Sequence, residues 1–145
     1  MQYDILLIGG NGFVGRVLAA QLQLAGYSVL IPTSHPSAGR ELRMLPKIYI
    51  EEANIHEFDV LQSLCSRIKP NGAVINLVGV LHDKPAHPYG KIFKSAHLEL
   101  PKNIITAMQL HGLKRYLHMS ALGADSNGPS MYQRSKGDGE LAVKA

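Results

Sequence analysis

The chain has 145 residues, 46% of them hydrophobic and 18% charged, enough for one domain that buries about two-thirds of its unfolded surface and too apolar for a disordered segment. A net charge of +4 invites a nucleic-acid partner, but the basic residues (Lys47, Lys69, Lys84, Lys91, Lys94, Lys102, Lys114, Arg115) are scattered and aromatics make up only 6%. Without a basic run interleaved with stacking rings, most of these charges read as solvated faces. The single cysteine, Cys65, excludes an intrachain disulfide and fits a reducing compartment. No basic leader and no apolar run of about 20 residues is present, so a cytoplasmic protein without a membrane span is expected.

The first predicted element is a strand over Tyr3–Ile8, which runs directly into Gly9-Gly10-Asn11-Gly12-Phe13-Val14-Gly15. A helical pattern (Val14, Leu18, Leu22, Ala25) begins around Gly15. Glycines at 9, 12 and 15 between strand and helix suit a tight turn, a close approach of backbone to a phosphate, and close helix–strand packing. The helix N-terminus adds free N–H groups and a positive dipole end, a seat for a pyrophosphate. Gly26 ends the helix, and Tyr27–Ile31 reads as a second strand stopped by Pro32. A polar stretch leads to a short helical segment at Arg40–Leu45, then to a third strand over Lys47–Ile50.

Glu57–Ile68 has helical spacing, with Cys65 as a small buried side chain, and Pro70-Asn71-Gly72 closes it. Ala73–Val78 is a near-continuous apolar run, as expected of a central parallel strand. A loop at Leu81–Gly90 follows, where His82, Asp83 and His87 match no common metal spacing. A long helix over Ile92–His111 ends at Gly112, Leu113–Met119 is a fifth strand, and a last helix starts near Met131. The alternation predicts an α/β fold, a doubly wound parallel sheet of the Rossmann type with strand order 3-2-1-4-5. In such a sheet the glycine turn, Gly79 and Ser120 fall at the carboxyl edge, where ligands bind.

Tyr132 and Lys136 stand four apart on one helix face. A phenol is a poor acid or base at neutral pH until a nearby cation favours its anion, and a lysine one turn on supplies that cation and a donor for a ribose. Ser120, at the end of the fifth strand, is placed to donate to a substrate carbonyl oxygen. His118 reads as a core residue, and His111 as a cation in the last turn of its helix.

With Gly-Gly-Asn-Gly-Phe-Val-Gly at 9–15, Asn76-Leu77-Val78-Gly79, His118-Met119-Ser120-Ala121 and Tyr132-x-x-x-Lys136, the chain resembles the short-chain dehydrogenase/reductase superfamily in its extended and atypical branches. The segments Asn76–Gly79 and Ser120–Asp125 look most like a subgroup that includes the nucleotide-binding accessory subunit of respiratory complex I and its bacterial relatives, and that is similar to NAD(P)-dependent epimerases and dehydratases. The resemblance implies a cofactor laid from Gly9, Asn11, Gly12, Phe13, Val14 and Gly15, past Thr33, Ser34 and Arg40 after strand two, and past Asn54 and Ile55 after strand three, to Leu77, Val78 and Gly79. It implies Ser120 as carbonyl-polarising donor, Tyr132 as acid/base and Lys136 as ribose ligand. Two departures stand out. NAD-preferring members carry an acidic residue after the second strand; Thr33, Ser34, Arg40 and Arg43 here suit a 2′-phosphate and favour NADP(H) over NAD(H), unless the arginines only solvate their helix. Where relatives often place Asn on the fourth helix, this chain has His97.

The reading is therefore a NAD(P)-binding domain, residues 1–145, of an oxidoreductase acting by hydride transfer at a carbonyl or alcohol carbon of an unidentified small molecule. It is expected to lack the C-terminal substrate domain, to be the N-terminal part of a longer protein, to be inactive alone and to form a homodimer. The alternative is a non-catalytic cofactor-binding module serving a larger respiratory-type complex in structure, assembly or redox sensing.

Overall fold

Tyr3–Ile8 forms β1, and Leu6, Leu7 and Ile8 are fully buried. Successive strand residues point to opposite faces, so this continuous burial marks a strand covered on both sides. β2 (Val29–Thr33) and β4 (Ile68–Asn76) flank it, with β3 (Ile48–Glu52) beyond β2 and β5 (Arg115–His118) beyond β4. The registers of β1 with β2, β1 with β4 and β2 with β3 are parallel. The order β3-β2-β1-β4-β5 is the one the alternation predicted. The computed structural model describes residues 1–144, the side chains of residues 38–40 excepted. It divides into two compact units, Met1–Leu77 with Ala107–Leu117, and Val78–Thr106 with the residues from His118 onward.

In the first unit, Ile5, Leu7, Val29, Ile31, Ile48 and Ile75 line one face of the sheet with the period of two that a half-covered face demands. Ala19 of α1 (Phe13–Leu24) and Leu42 of α2 (Arg40–Arg43) close over them. Each aliphatic side chain so buried contributes about 1.5–3 kcal/mol. The first unit also holds α3 (Phe58–Ser66), whose Leu61, Leu64 and Cys65 are buried. Arg67, just past α3, donates to both carboxylate oxygens of Glu51 in β3, a bidentate pair.

Several boundaries shift by a few residues from the sequence reading, and three of the differences have a local cause. α1 begins at Phe13, with Gly12 as its extended N-cap, earlier than the pattern suggested: Phe13 is exposed and outside the apolar period, and Val14, counted in it, is exposed as well. Pro32 does not stop β2: it pairs with Glu51. Val29 donates to Lys47 O and Thr33 O accepts from Ala53, so odd positions bond β3. The missing donor of Pro32 therefore faces β1, whose pairing with β2 ends at Leu30. Pro70-Asn71-Gly72 neither closes the helix nor precedes the strand. Ile68 already pairs with Tyr3, and the next partners are Ile5 and Ala73, so the three residues bulge out of β4. A Cβ at Gly72 would sit 2.5 Å from Asp4 O.

The predicted long helix is a composite: α4 (Lys91–Lys94), a π-helical stretch (Ser95–Glu99) and α5 (Leu100–Leu110). Pro101 has no N–H to give the carbonyl of His97, which is enough to disturb the α-helical ladder just before it. In the second unit α6 (Met131–Lys144) lies against this π stretch, with Phe93, Ala96, His97, Ser135 and Lys136 buried. No helix among the described residues is long and apolar enough to cross a membrane.

Candidate functional site

The first unit contributes a turn. Gly9 takes φ +82, a region L side chains rarely adopt, and its carbonyl accepts the N–H of Gly12 at 3.2 Å. A Cβ on Gly15 would lie 2.4 Å from Gly9 O and 2.5 Å from the Gly10 backbone, so the third glycine is demanded by the protein's own packing. Gly12 is different: its φ is −83 and a Cβ there meets only Gly9 O, at 3.4 Å. The helix it opens has no side-chain cap and no acidic residue in its first turn, leaving N–H donors and the positive dipole end for an anion.

Asn11 ties this turn to the end of β2. Its Nδ2 donates to Thr33 Oγ1 and to His35 O, both at 3.3 Å, while its Oδ1 is buried with no hydrogen-bond partner. Thr33 Oγ1 also accepts the His35 N–H, and Ser34 Oγ lies 2.9 Å from His35 Nδ1. Arg16 was missed by the sequence reading although it directly follows Gly15; its Nε donates to Asn11 O at 3.2 Å. With Val17, Ala20, Gln21, Glu41, Leu42 and Leu45 it lines a cavity of about 400 Å³. The side chain of Arg40, expected to serve a 2′-phosphate, lies outside the described residues. Asn54 is exposed and spends its Oδ1 on the His56 N–H, turning the chain into α3 beside half-buried Ile55. Leu77 donates its N–H to Ile8 O, continuing the β4 ladder.

The second unit contributes a polar cluster. Lys136 is only 3% exposed, and its Nζ donates to Met119 O at 2.7 Å. Burial pulls its pKa down, with Glu140 opposing weakly. Ser120, next to Met119, has a buried Oγ with no hydrogen-bond partner. Tyr132, half-buried, sets its ring edge-on to Phe93 and His97, with centroids 6.2 and 5.5 Å away. His118 has its pKa lowered by burial and by Lys136.

His97 is 1% exposed and fully engaged. Its Nε2 accepts the Val80 N–H at 3.0 Å, so the ring proton sits on Nδ1, 2.8 Å from Ser135 Oγ. Ser135 in turn donates to Tyr132 O. Burial first, then Lys136 and His118, hold the imidazole neutral, with its pKa pulled down to about 4. The loop before α4 is fastened by Tyr89 donating to Asp138, by Arg134 donating to Pro88 O, and by Asp83, which accepts the Phe93 N–H and so caps the helix. The sequence reading left Asp83 as a solvated loop residue. Among the described residues no cluster of three His, Cys, Asp or Glu has metal-holding geometry.

An open parallel sheet of this order, with a glycine turn feeding an uncapped helix from its central strand, defines a Rossmann-type nucleotide-binding domain. The NAD dependent epimerase/dehydratase family matches residues 5–137, and the chain belongs to it. Among curated proteins it is 26% identical over 142 residues to the mitochondrial NADH-ubiquinone oxidoreductase 40 kDa subunit of Neurospora crassa, covering 96% of this chain and 36% of that protein. It is 28% identical over 149 residues to mitochondrial NADH dehydrogenase (ubiquinone) 1 alpha subcomplex subunit 9 of Dictyostelium discoideum, covering 95% and 37%. The chain thus spans about a third of the length of these relatives. Among solved structures, Pen from Bacillus thuringiensis shares the fold with a TM-score of 0.79 at 18% identity, over 97% of this chain and 44% of that one. The Bordetella bronchiseptica enzyme WbmG in complex with NAD does so with a TM-score of 0.75 at 18% identity, over 99% and 50%.

Proposed function

We propose that this chain is the cofactor-binding part of a nicotinamide-dependent oxidoreductase or epimerase, that it takes NADP(H) in preference to NAD(H), and that it acts on a carbonyl or alcohol carbon of a small molecule. The observation that carries the catalytic reading is Lys136. A buried ammonium whose hydrogen bond goes to one neutral carbonyl is costly to fold around. Such groups gather where chemistry uses them.

The residues present fit the cofactor. The N–H groups opening α1 suit the pyrophosphate, Gly12 leaves room for its approach, and the unpartnered Asn11 Oδ1 offers an acceptor to a ribose hydroxyl. When bound, the nicotinamide supplies a hydride donor or acceptor. On the protein's side, Ser120 Oγ, buried and without a partner, donates to the substrate oxygen; Tyr132 gives that oxygen a proton or takes one; and Lys136, with two ammonium protons left after Met119, holds a ribose and keeps a cation one turn from the phenol. The NADP(H) preference is supported by Thr33 and Ser34, at the end of β2, where NAD-preferring members carry an acidic residue, and by Arg16, which donates to the O of Asn11, itself bonded to Thr33. Glu41, on the same cavity as Arg16, works against it.

Calorimetric titration with NADPH and NADH tests this reading. NADPH is expected to bind at least about tenfold tighter, with the order reversed in Thr33→Asp and the advantage lost in Arg16→Ala. Equal affinities in the wild-type chain would refute the preference; no binding of either would refute the cofactor role.

A second reading has a specific observation behind it, since the curated relatives carry the names of NADH-ubiquinone oxidoreductase subunits. The domain would then bind its cofactor as a structural or redox-sensing part of a larger complex. Tyr132→Phe separates the two: a protein that keeps its cofactor affinity and its role in cells is the module, and one that keeps affinity while losing turnover is the enzyme.

A further inference from the structure

Lys136 and Tyr132 leave unexplained why the histidine beside them is buried, neutral and bonded at both nitrogens. Removing both of its bonds would leave the half-buried Val80 N–H without this acceptor and the Ser135 hydroxyl with only its bond to Tyr132 O, yet an apolar side chain with apolar neighbours would fill the same space. The network has a direction. Val80 N–H donates to His97 Nε2, His97 Nδ1–H to Ser135 Oγ, and Ser135 Oγ–H to Tyr132 O. Every donor in it has one acceptor, so only one tautomer and one ring orientation satisfy the whole chain.

The network joins three segments of the second unit. One is the loop after β4, where Gly79 would bring a Cβ to 3.7 Å from His97 Nε2. Another is the π-helical stretch that carries His97, pressed so closely by α6 that a Cβ on Gly139 would stand 2.2 Å from His97 O. The last is the first turn and a half of α6, which presents Tyr132 and Lys136. The His97 ring also buttresses the Tyr132 ring edge-on, at 5.5 Å.

We propose that His97 is a positioning residue: as the neutral Nδ1–H imidazole it sets the distance and orientation between the Gly79–Val80 loop and the Tyr132–Lys136 face of α6. It does not touch the reacting atoms. The inference rests on the proposed function, in which this loop and this helix face receive the nicotinamide end of the cofactor. The charged and titratable groups acting on the ring are Lys136 on α6 and His118 at the end of β5; both disfavour a second proton on it, and so protect the acceptor that Val80 needs.

The test compares two ligands, NADH and ADP-ribose, the latter lacking the nicotinamide ring. In His97→Phe, which keeps a ring and loses both hydrogen bonds, NADH affinity is expected to fall by about tenfold or more while ADP-ribose affinity stays within about twofold. Ser135→Ala should lose part of the same selectivity. His97→Gln, which keeps one donor and one acceptor, should restore most of it. Nitrogen-15 spectra of labelled histidine should show the Nδ1–H tautomer in the wild-type chain.

Equal losses for the two ligands, or no loss for either, would overturn the positioning role. A His97 that carries its proton on Nε2 would do the same. If His97→Phe does not fold, Ser135→Ala and His97→Gln decide: selective loss in the first with retention in the second supports the role, and uniform behaviour rejects it. A wild-type chain that binds ADP-ribose and not NADH refutes the parent reading of the second unit, an outcome distinct from unchanged selectivity in the variants.

Discussion

Gly12 and Gly15 look alike in the sequence, and the structure predicts opposite consequences for replacing them by alanine. At Gly15 the new methyl would lie 2.4 Å from Gly9 O and 2.5 Å from two Gly10 backbone atoms. These are backbone contacts with no side chain free to swing away, so the turn or α1 must shift. Overpacking of this kind costs about 1–3 kcal/mol or somewhat more, against a gain of about 1 kcal/mol for alanine over glycine inside a helix. A net loss of up to about 2 kcal/mol corresponds to a melting temperature lower by up to about 4–8 °C in a chain of this size. At Gly12 the methyl meets Gly9 O at an ordinary 3.4 Å, and the cost is that of alanine at an N-cap, about 0.5–1 kcal/mol. In the proposed function the pyrophosphate is held at this turn, and the methyl would crowd its approach. Gly12→Ala should therefore keep most of the stability and lose dinucleotide affinity by about tenfold or more. Thermal unfolding without ligand and calorimetry with NADPH on both variants check the pair. A Gly12→Ala chain that binds as tightly as the wild type would refute the claim that this glycine exists for the ligand; one as unstable as Gly15→Ala would refute the geometry behind it.

Three further outcomes are expected. Burial, then Lys136 and His118, pull the pKa of folded His97 down to about 4, from an ordinary histidine value of about 6.5. Between these values the unfolded chain binds the extra proton, so stability rises with pH there: the contribution is complete above about pH 6.5 and lost as pH falls through about 4, for about 3 kcal/mol in all. Urea unfolding from pH 4 to 7 should show this slope, flattened in His97→Gln; an unchanged slope would count against it. Lys136→Met removes a desolvated charge and keeps the aliphatic volume, so it should hold or raise the melting temperature while weakening NADH binding. A drop of more than about 1 kcal/mol would show that the ammonium is structural. Cys65 is buried and its thiol is pushed up to about 11, so it should resist thiol reagents in the folded chain and react only on unfolding.

The fold was legible because its signals are local and repeat. Leu6-Leu7-Ile8 announces a strand covered on both faces, and Gly9–Gly15 announces the turn that follows it. What escaped depends on pairing across distance. Nothing near Pro32 says that its missing N–H faces the side where β1 has stopped pairing. Nothing near Pro70 says that Ile68 already sits beside Tyr3. Pro101 was a visible warning of the π stretch, since its carbonyl partner would be His97, four residues before. Arg16 was equally visible, one residue past the motif, but an exposed arginine on a helix reads as solvation until its Nε is seen on Asn11 O.

The two units differ in how they satisfy their interiors, and that difference bears on where function lies. In the first, the cluster that closes the sheet face is wholly apolar, from Ile5 to Ile75; the ion pairs Arg67–Glu51 and Lys69–Asp4 stay near solvent, where they cost little and contribute little. In the second, His97 on the π-helical stretch and Ser135 and Lys136 on α6, which packs against it, are all buried. Apolar residues of similar volume would hold those helices at least as firmly. A fold optimised for stability alone has no reason to keep an ammonium at 3% exposure, an imidazole fixed in one tautomer, and a serine oxygen with no partner at Ser120. Their concentration in the second unit, on the residues that continue Tyr132, is what a site requires when groups must be held in place before their ligand arrives.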